Sequence, residues 1–430
     1  MRVLVLGATG LIGSAVTARL VAAGHEVVGL TRTCDSAARR LPVARWIVAD
    51  LRDIRRPEDW LPHLRGIDAV VNCAGTLQDS VRDSTSKVHR DAPAALWRAC
   101  EQAGVRRVIH FSAMGVDRGG LTDFSRTKKA GDEALGATSL DWVILRPSVV
   151  VGRQAYGGSA LFRALASLPV MPRIEDAGPL DIVQLDDVAE TVARLLQPGA
   201  ASRVALELAG PERLQFDEVV SAYRSWLGWK PARRIRVPAF LMGLMWRLGD
   251  LVAWFGWRPP LRSTARREIV RGAIGDGSAW RAATGIEPQS LGAALAAEPA
   301  SVQERWFARL YLLKPVAFAT FILFWLLTAI VSVGPGYRWA VNVMEASAAA
   351  PIAVLTVIAG SLADLAVAAL ILFRRTARLG LVLGLLVTLG YVASGTLLRP
   401  DLWADPLGPM MKVWPILVLN LILLAILDER

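Results

Sequence analysis

Cysteine is scarce in this chain of 430 residues: there are three, Cys34, Cys73 and Cys100, all in the first quarter. Their spacing fits neither a disulfide framework nor a metal knuckle, so they read as reduced thiols of an intracellular domain. Histidine is nearly as rare. His25, His63, His89 and His110 are scattered and suggest no metal site. No Ser-His-Asp arrangement and no phosphate-binding P-loop is present. Lysines are few, so the formal net charge of +11 is carried by arginine. The basic stretches hug the membrane segments of the second half, which speaks for a membrane surface and against nucleic acid. The apolar run after Met1-Arg2 is too short and glycine-interrupted for a signal peptide, so the N-terminal part is expected to stay inside the cell.

What is there begins at the first residues. Val3 to Leu6 read as a strand, followed by Gly7-Ala-Thr9-Gly10-Leu11-Ile12-Gly13. Ser14 to Ala23 read as a helix that Gly24 stops, and Glu26 to Thr31 as a second strand. A glycine turn in a strand–helix–strand context is what dinucleotide binding requires. Gly7 permits the tight turn, Gly10 the approach of a pyrophosphate, and Gly13 close packing of helix on strand. The helix N-terminus offers free N–H groups to phosphate.

Strand and helix patterns alternate to about residue 210. Further strands are expected at Trp46 to Ala49, Ala69 to Asn72, Val108 to Phe111 and Trp142 to Leu145, with helices at Val88 to Ala103 and Thr127 to Leu135. Asp186-Asp187 read as the cap and first turn of another helix. This alternation implies an α/β, doubly wound parallel sheet with ligands at the carboxyl ends of its strands. That edge collects Gly7, Thr31, Arg32, Asp50, Ala74, Ser112 and Pro147.

Composition then shifts twice. Ala239 to Trp257 is apolar with sparse charge, carries Trp246, Trp254 and Trp257, and is followed by Arg258, Arg262, Arg266 and Arg267. It reads as a core helix or as a helix lying at a membrane interface. From residue 315, Val316 to Gly334, Ile352 to Phe373, Leu379 to Leu398 and a shorter Met410 to Leu427 are expected to form an all-α four-helix transmembrane domain. Arg305, Arg309 and Lys314 precede the first span and Arg374, Arg375 and Arg378 fill the second loop. By the positive-inside rule, both termini and the α/β domain face the cytoplasm, from a multi-pass position in the inner membrane. The expected division is 1–230, 231–312 as a Trp/Arg-rich membrane-proximal region, and 313–430. Asp364 falls in mid-span, where a carboxyl is costly and faces a partner or cavity; Tyr391 and Asn420 are available partners.

The glycine turn, Asp50-Leu51, Asn72-Cys73-Ala74-Gly75, Phe111-Ser112-Ala-Met-Gly115 and Leu145-Arg-Pro147-Ser together resemble the short-chain dehydrogenase/reductase superfamily. The likeness covers roughly residues 1–200 and is nearest the atypical branch, similar to NmrA-like proteins and the NDUFA9-type accessory subunit of respiratory complex I. It implies a Rossmann fold and a bound nicotinamide dinucleotide held by Gly7, Thr9, Gly10, Leu11, Ile12, Gly13, Thr31, Arg32, Asp50, Leu51, Cys73, Ala74, Gly75, Ser112, Lys128 and Pro147. The second strand ends in Thr31-Arg32 rather than in a carboxylate, which favours NADP(H) over NAD(H); Asp35 lies beyond that end. The membrane part resembles the DoxX-like four-helix family, which implies a redox or quinone connection.

The superfamily's proton donor is a tyrosine four residues before a lysine. Here Lys128 stands at the lysine position and Phe124 at the tyrosine position, with Ser112 at the serine. Phenylalanine has no proton to give. The expected protein is therefore an NADP(H)-binding membrane protein without the usual Tyr-dependent chemistry, a nucleotide sensor or a component of a membrane protein complex. The alternative is an oxidoreductase acting on a quinone or lipid-like substrate, with Tyr156 as a phenol supplied from elsewhere.

Overall fold

Arg2–Leu6 forms β1, whose Val3, Leu4, Val5 and Leu6 are all fully buried. A strand buried on both faces belongs at the centre of a covered parallel sheet, and β1 lies there. It pairs in parallel with β2 (Glu26–Thr31) on one side and β4 (Ala69–Asn72) on the other. With β3 (Arg45–Val48), β5 (Arg107–Phe111), β6 (Asp141–Pro147) and β7 (Val204–Leu208) they make a seven-stranded sheet in the order β7-β6-β5-β4-β1-β2-β3. The computed structural model describes residues 1–33, 41, 43, 45–79, 84–120, 122–174, 176–257, 259 and 261–428. Cys34, Asp35 and Arg258 lie outside the described residues.

Side-chain alternation splits the core in two. Val3, Val5, Val71 and Ile109 pack with Val16 and Leu20 of α1 (Leu11–Ala22) and with Val188 and Val192 of α5 (Leu185–Leu195). Leu4, Leu6, Val70 and Val108 face α2 (Pro57–Leu64), α3 (Ala92–Ala103) and α4 (Asp123–Gly136) through Trp60, Leu96 and Leu135. This is the doubly wound sheet that the sequence implies. Register brings the carboxyl ends level: Leu6 opposes Asn72, Asn72 opposes His110, and Phe111 opposes Leu145.

Local differences have local causes. The helix expected from Val88 opens as a wide π-type turn over Lys87–Asp91 and becomes α-helical at Ala92, beside Pro93, which has no N–H to continue a ladder. α4 starts four residues before the expected Thr127, because Thr122 caps it by accepting from the Ser125 N–H at 3.2 Å. Asp186 and Asp187 occupy the first turn of α5, but the cap position is Gln184.

The chain packs as two units, Met1–Asp250 with Pro259–Ala308, and Leu251–Arg258 with Arg309–Arg430. The second is helical. Three helices are long and apolar enough to cross a membrane: α7 (Val302–Val333), the stretch Ala350–Leu372 that contains α8 (Ala353–Leu372), and α9 (Ala377–Leu398). The first is continuous from residue 302, well before the expected start at Val316. The fourth expected stretch is helical as α10 (Val413–Ile426), only 14 residues, against the roughly 20 a bilayer core needs. A short helix, Tyr337–Glu345, fills the connection after α7. At one end of this unit Lys314 Nζ donates to the Ile426 carbonyl at 2.5 Å, Arg374 pairs with Asp428 at 2.7 Å, and Arg378 also pairs with Asp428. Inside it, Tyr391 donates to Asp364 Oδ1 at 2.7 Å. Asn420 is fully buried and, among the described residues, neither atom of its amide has a hydrogen-bond partner.

Candidate dinucleotide site

Gly7 leaves β1 with φ +68°, a left-handed value that favours glycine. A Cβ there would lie 2.9 Å from Cα of Ala74, so the β1 and β4 turns touch backbone to backbone. Gly13 is held more tightly, since its Cβ would fall 2.1 Å from the Gly7 carbonyl oxygen. The turn closes with the Gly10 N–H donating to the Gly7 carbonyl at 2.9 Å. Gly10 caps α1 without a side chain, and no acidic residue stands in the first turn. The helix thus presents its free N–H groups and positive dipole end to whatever lies over the turn. A pyrophosphate fits this cradle.

At the neighbouring strand ends, the Ala49 N–H donates to the Thr31 carbonyl at 2.9 Å, which sets Asp50, the next residue, beside the end of β2. The Thr31 hydroxyl turns back to the Thr33 carbonyl. Asp50 is clasped by Arg52, which donates from Nε at 3.0 Å and from Nη2 at 2.7 Å. Burial raises the Asp50 carboxyl, but the Arg52 hydrogen bonds and the charges of Arg52 and Arg32 outweigh it and hold it below its ordinary value. Two guanidinium groups therefore flank the end of β2 where the sequence offers only Arg32. Leu51 is buried in the core below them.

Beyond β4, the Cys73 N–H donates to the Leu6 carbonyl, and the Ala74 N–H to Asn72 Oδ1 at 3.1 Å. Burial pushes the Cys73 thiol up, which keeps it an unreactive neutral group. Lys128 is buried and donates to the main-chain carbonyls of Ala74 (3.3 Å) and Phe111 (2.7 Å). Burial pulls its ammonium down to about 8. Two of its three N–H bonds are thereby committed to the protein. A Cβ on Gly75 would lie 3.4 Å from its Nζ.

Ser112 and Pro147 stand at the ends of β5 and β6, where the Ser112 N–H donates to the Leu145 carbonyl and the Met114 N–H to the Pro147 carbonyl. The Ser112 hydroxyl does not face outward: it donates to Asp132 Oδ2 at 2.8 Å. Asp132 also receives Arg146 Nη2 at 3.3 Å, and its other oxygen faces Nε2 of His110 at 3.6 Å. Burial raises the Asp132 carboxyl despite these neighbours. Asn72 fixes the imidazole: its Oδ1 accepts from Ala74, so its amide N–H must point at Nδ1 of His110, 3.1 Å away. That leaves the His110 proton on Nε2, towards Asp132. His89 accepts from the Thr76 N–H at 3.0 Å and its Nδ1 meets the Thr127 hydroxyl at 2.9 Å. Burial, then the Lys128 charge, hold both imidazoles well below their ordinary pKa.

Phe124 occupies the turn of α4 before Lys128 and packs edge-on against His89, ring centres 5.5 Å apart. Tyr156 precedes the helix Gly157–Ala166, and Gln154 in the same loop reaches Ser14 of α1 at 3.3 Å. Sequence reasoning did not single out Asp132, His110, His89 and Arg52. The one local signal was Asp132 at i+4 from Lys128 on the same helix face; sheet register brings in His110, and the turn Lys87–Asp91 brings in His89. Among the described residues, no three His, Cys, Asp or Glu side chains gather as a metal site.

Comparison with known proteins agrees with this geometry. Residues 7–197 match the NAD(P)H-binding family and residues 322–421 the DoxX-like family. The chain therefore joins an NAD(P)H-binding Rossmann domain of the atypical short-chain dehydrogenase/reductase type to a C-terminal DoxX-like membrane domain. It is similar to an uncharacterised protein of Mycobacterium tuberculosis, 28% identical over 222 residues, which are 52% of this chain but only 23% of that protein's length. The photosystem II assembly factor Ycf39 of Synechocystis is 26% identical over 59% of this chain and 76% of its own. Sterol demethylase protein B of Methylococcus capsulatus is 27% identical over 71% of this chain and 99% of its own. Among solved structures, MoeE5 in complex with UDP-glucuronic acid and NAD superposes with a TM-score of 0.52 at 21% identity. That likeness covers 69% of this chain and 97% of MoeE5, and shows the shared fold.

Proposed function

We propose that this protein binds NADP(H) at the cytoplasmic face of the inner membrane and acts as a nucleotide sensor or as a structural or assembly component of a membrane complex, rather than running Tyr-dependent hydride transfer. One observation carries the reading. At the site's proton-donor position Phe124 packs on His89, while Ser112 spends its hydroxyl hydrogen on Asp132 and Lys128 two of its three N–H bonds on main-chain carbonyls. A bound nicotinamide would supply hydride exchange, but no side chain at that position can pair it with a proton. The glycine turn would hold the pyrophosphate and Arg32 with Arg52 a 2′-phosphate, as arginine at this strand end suits NADP(H). The likeness to an assembly factor supports a role in a membrane complex. Convergence of Lys314, Arg374 and Arg378 at one end of the helical unit supports a cytoplasmic placement of that end.

The second reading, an oxidoreductase acting on a quinone or lipid-like substrate, is favoured by the match across 99% of a sterol demethylase component. One experiment separates the two. The full chain in detergent is titrated with NADPH and NADH by nucleotide fluorescence, with Gly10→Asp as control, and bound NADPH is then followed with quinone analogues and membrane lipid extract. Tight NADPH binding without oxidation supports the sensor or assembly role. Oxidation that disappears in the control transfers the argument to the second reading, and absence of binding ends both.

A further inference from the structure

The helix α6 (Ala239–Trp254) is apolar around most of its circumference, yet only one side is packed. Trp246, Gly249 and Ala253 are buried. A Cβ on Gly249 would fall 1.7 Å from the Leu261 carbonyl oxygen, so the helix is pressed onto the following segment by that face. The other side is bare. Phe240 (73% exposed), Leu241, Leu244, Met245, Leu248, Leu251 and Val252 form one continuous stripe. At 3.6 residues per turn they share about half the helix surface. Trp254, 79% exposed, and the exposed Arg247 lie on one border of the stripe.

An uninterrupted stripe of large apolar side chains marks a surface meant to be covered. The chain itself indicates by what. The last turn of α6 and the residues just after it, Leu251–Arg258, belong to the helical membrane unit, where the Phe255 carbonyl accepts from the Arg374 N–H at 3.0 Å and Trp257 donates to the Leu372 carbonyl at 2.8 Å. A helix that runs into a membrane-spanning unit, with its bare apolar face bordered by tryptophan and arginine, carries the anchors that hold side chains at headgroup depth. We infer that α6 lies in the headgroup–acyl boundary of a phospholipid leaflet, stripe inward, with Trp254 and Arg247 at headgroup depth.

This places lipid contact one side chain from the candidate site. Asp250 accepts from Gln78 Nε2 at 3.2 Å and from Arg262 Nε at 3.4 Å, and Arg262 donates on to the Asp79 carbonyl. Gln78 and Asp79 belong to the segment that follows β4, three and four residues beyond Gly75 beside Lys128. The helix that touches the leaflet thus also holds the segment bordering the dinucleotide site. The inference stands apart from the nucleotide reading.

The test uses the full chain reconstituted in vesicles of three parts phosphatidylcholine to one part phosphatidylglycerol. Photoreactive benzoylphenylalanine replaces Leu244 or Leu248, and Gln102, exposed at the far end of α3, serves as control. Irradiation is expected to give phospholipid adducts at 244 and 248 in about tenfold excess over 102, since a helix at this depth sits roughly 5–10 Å into the boundary. Equal yields overturn the inference, and so does an adduct to a second copy or another protein. A Leu244→Glu/Leu248→Glu variant carrying the probe at Phe240 is expected to lose most of its lipid adduct while its spans keep it in the vesicle. NADPH titration of the same vesicles distinguishes the failures. Binding without adducts removes only the α6 inference; adducts without binding remove only the nucleotide reading.

Discussion

Ser112 and Asp132 face each other across the end of β5 at 2.8 Å, with the serine hydroxyl donating inward to a buried carboxylate. That one contact turns a hydroxyl available on paper into part of a closed polar cluster with His110, Arg146 and Lys128. Asp132→Ala strips a partner from Ser112 and Arg146 at once. Arg146 keeps Asp117 at 2.6 Å, but leaving the buried Ser112 hydroxyl unpaired costs about 1–3 kcal/mol, so a fall of roughly that size in the unfolding free energy of the full chain is expected by denaturant titration. A loss below about 0.5 kcal/mol, the range of surface substitutions, would show that the cluster does not hold the strand ends.

The two structural glycines of the turn differ from a third that only ends a helix. Gly13→Ala must displace the Gly7 carbonyl. It should weaken NADPH binding by about tenfold or more, the loss of at least one main-chain hydrogen bond to a charged phosphate at ~1.5–3 kcal/mol. Gly24→Ala meets open space but keeps φ +81°. It should cost stability of about 1–2 kcal/mol and leave nucleotide affinity unchanged. Calorimetric titration of both variants reads the difference, and equal losses would contradict the assignment of the turn.

Charge at the end of β2 sets the expected cofactor preference. Arg32→Ala should lower NADPH affinity by about ten- to a hundredfold, a single charge-assisted phosphate contact of ~1.5–3 kcal/mol, and leave NADH affinity as it was. Arg52→Ala should also free Asp50 from its clasp, restoring a carboxylate that can meet a ribose hydroxyl and moving the preference towards NADH. A parallel drop for both nucleotides in both variants would argue against a 2′-phosphate site.

Acid should loosen the nucleotide domain before it disturbs most carboxylates. His89 and His110 keep folded pKa values well below 6.5 because burial and the Lys128 charge disfavour their protonated forms. The unfolded chain takes up protons below about 6.5 while the folded chain does not. Their contribution is therefore intact above that pH and lost as pH falls, by about 1.4 kcal/mol per unit for each histidine. Asp132, raised by burial, acts with opposite sign above about 3.8 and reduces the net slope. Amide exchange in β5, corrected for intrinsic rates, should show lower protection at pH 5.5 than at 7. A flat profile would place the imidazoles in contact with solvent.

In the helical unit, Asn420→Leu is expected to be neutral or stabilising, because both amide atoms are buried without a hydrogen-bond partner among the described residues. Tyr391→Phe removes the donor to Asp364 and should cost about 0.6 kcal/mol, the average for such bonds between membrane helices. Thermal unfolding in detergent reads both. Destabilisation by Asn420→Leu would mean that the amide is satisfied by a bound molecule.

The strand–glycine turn–helix opening, the parallel sheet and the membrane-length helices are legible in the order of residues alone. Each rests on local periodicity or on a backbone geometry only glycine reaches, and both are written in adjacent residues. That order also carries Phe124, whose meaning is chemical rather than spatial. Tertiary structure decided where hydrogens point. Lys128 turning to Ala74 and Phe111, Ser112 to Asp132, and Asp50 to Arg52 depend on which strand ends lie level. Sheet register fixes that over separations of up to 54 residues. The division of α6 into a packed and a bare face was likewise undecided by composition, since both faces are apolar and only packing distinguishes them.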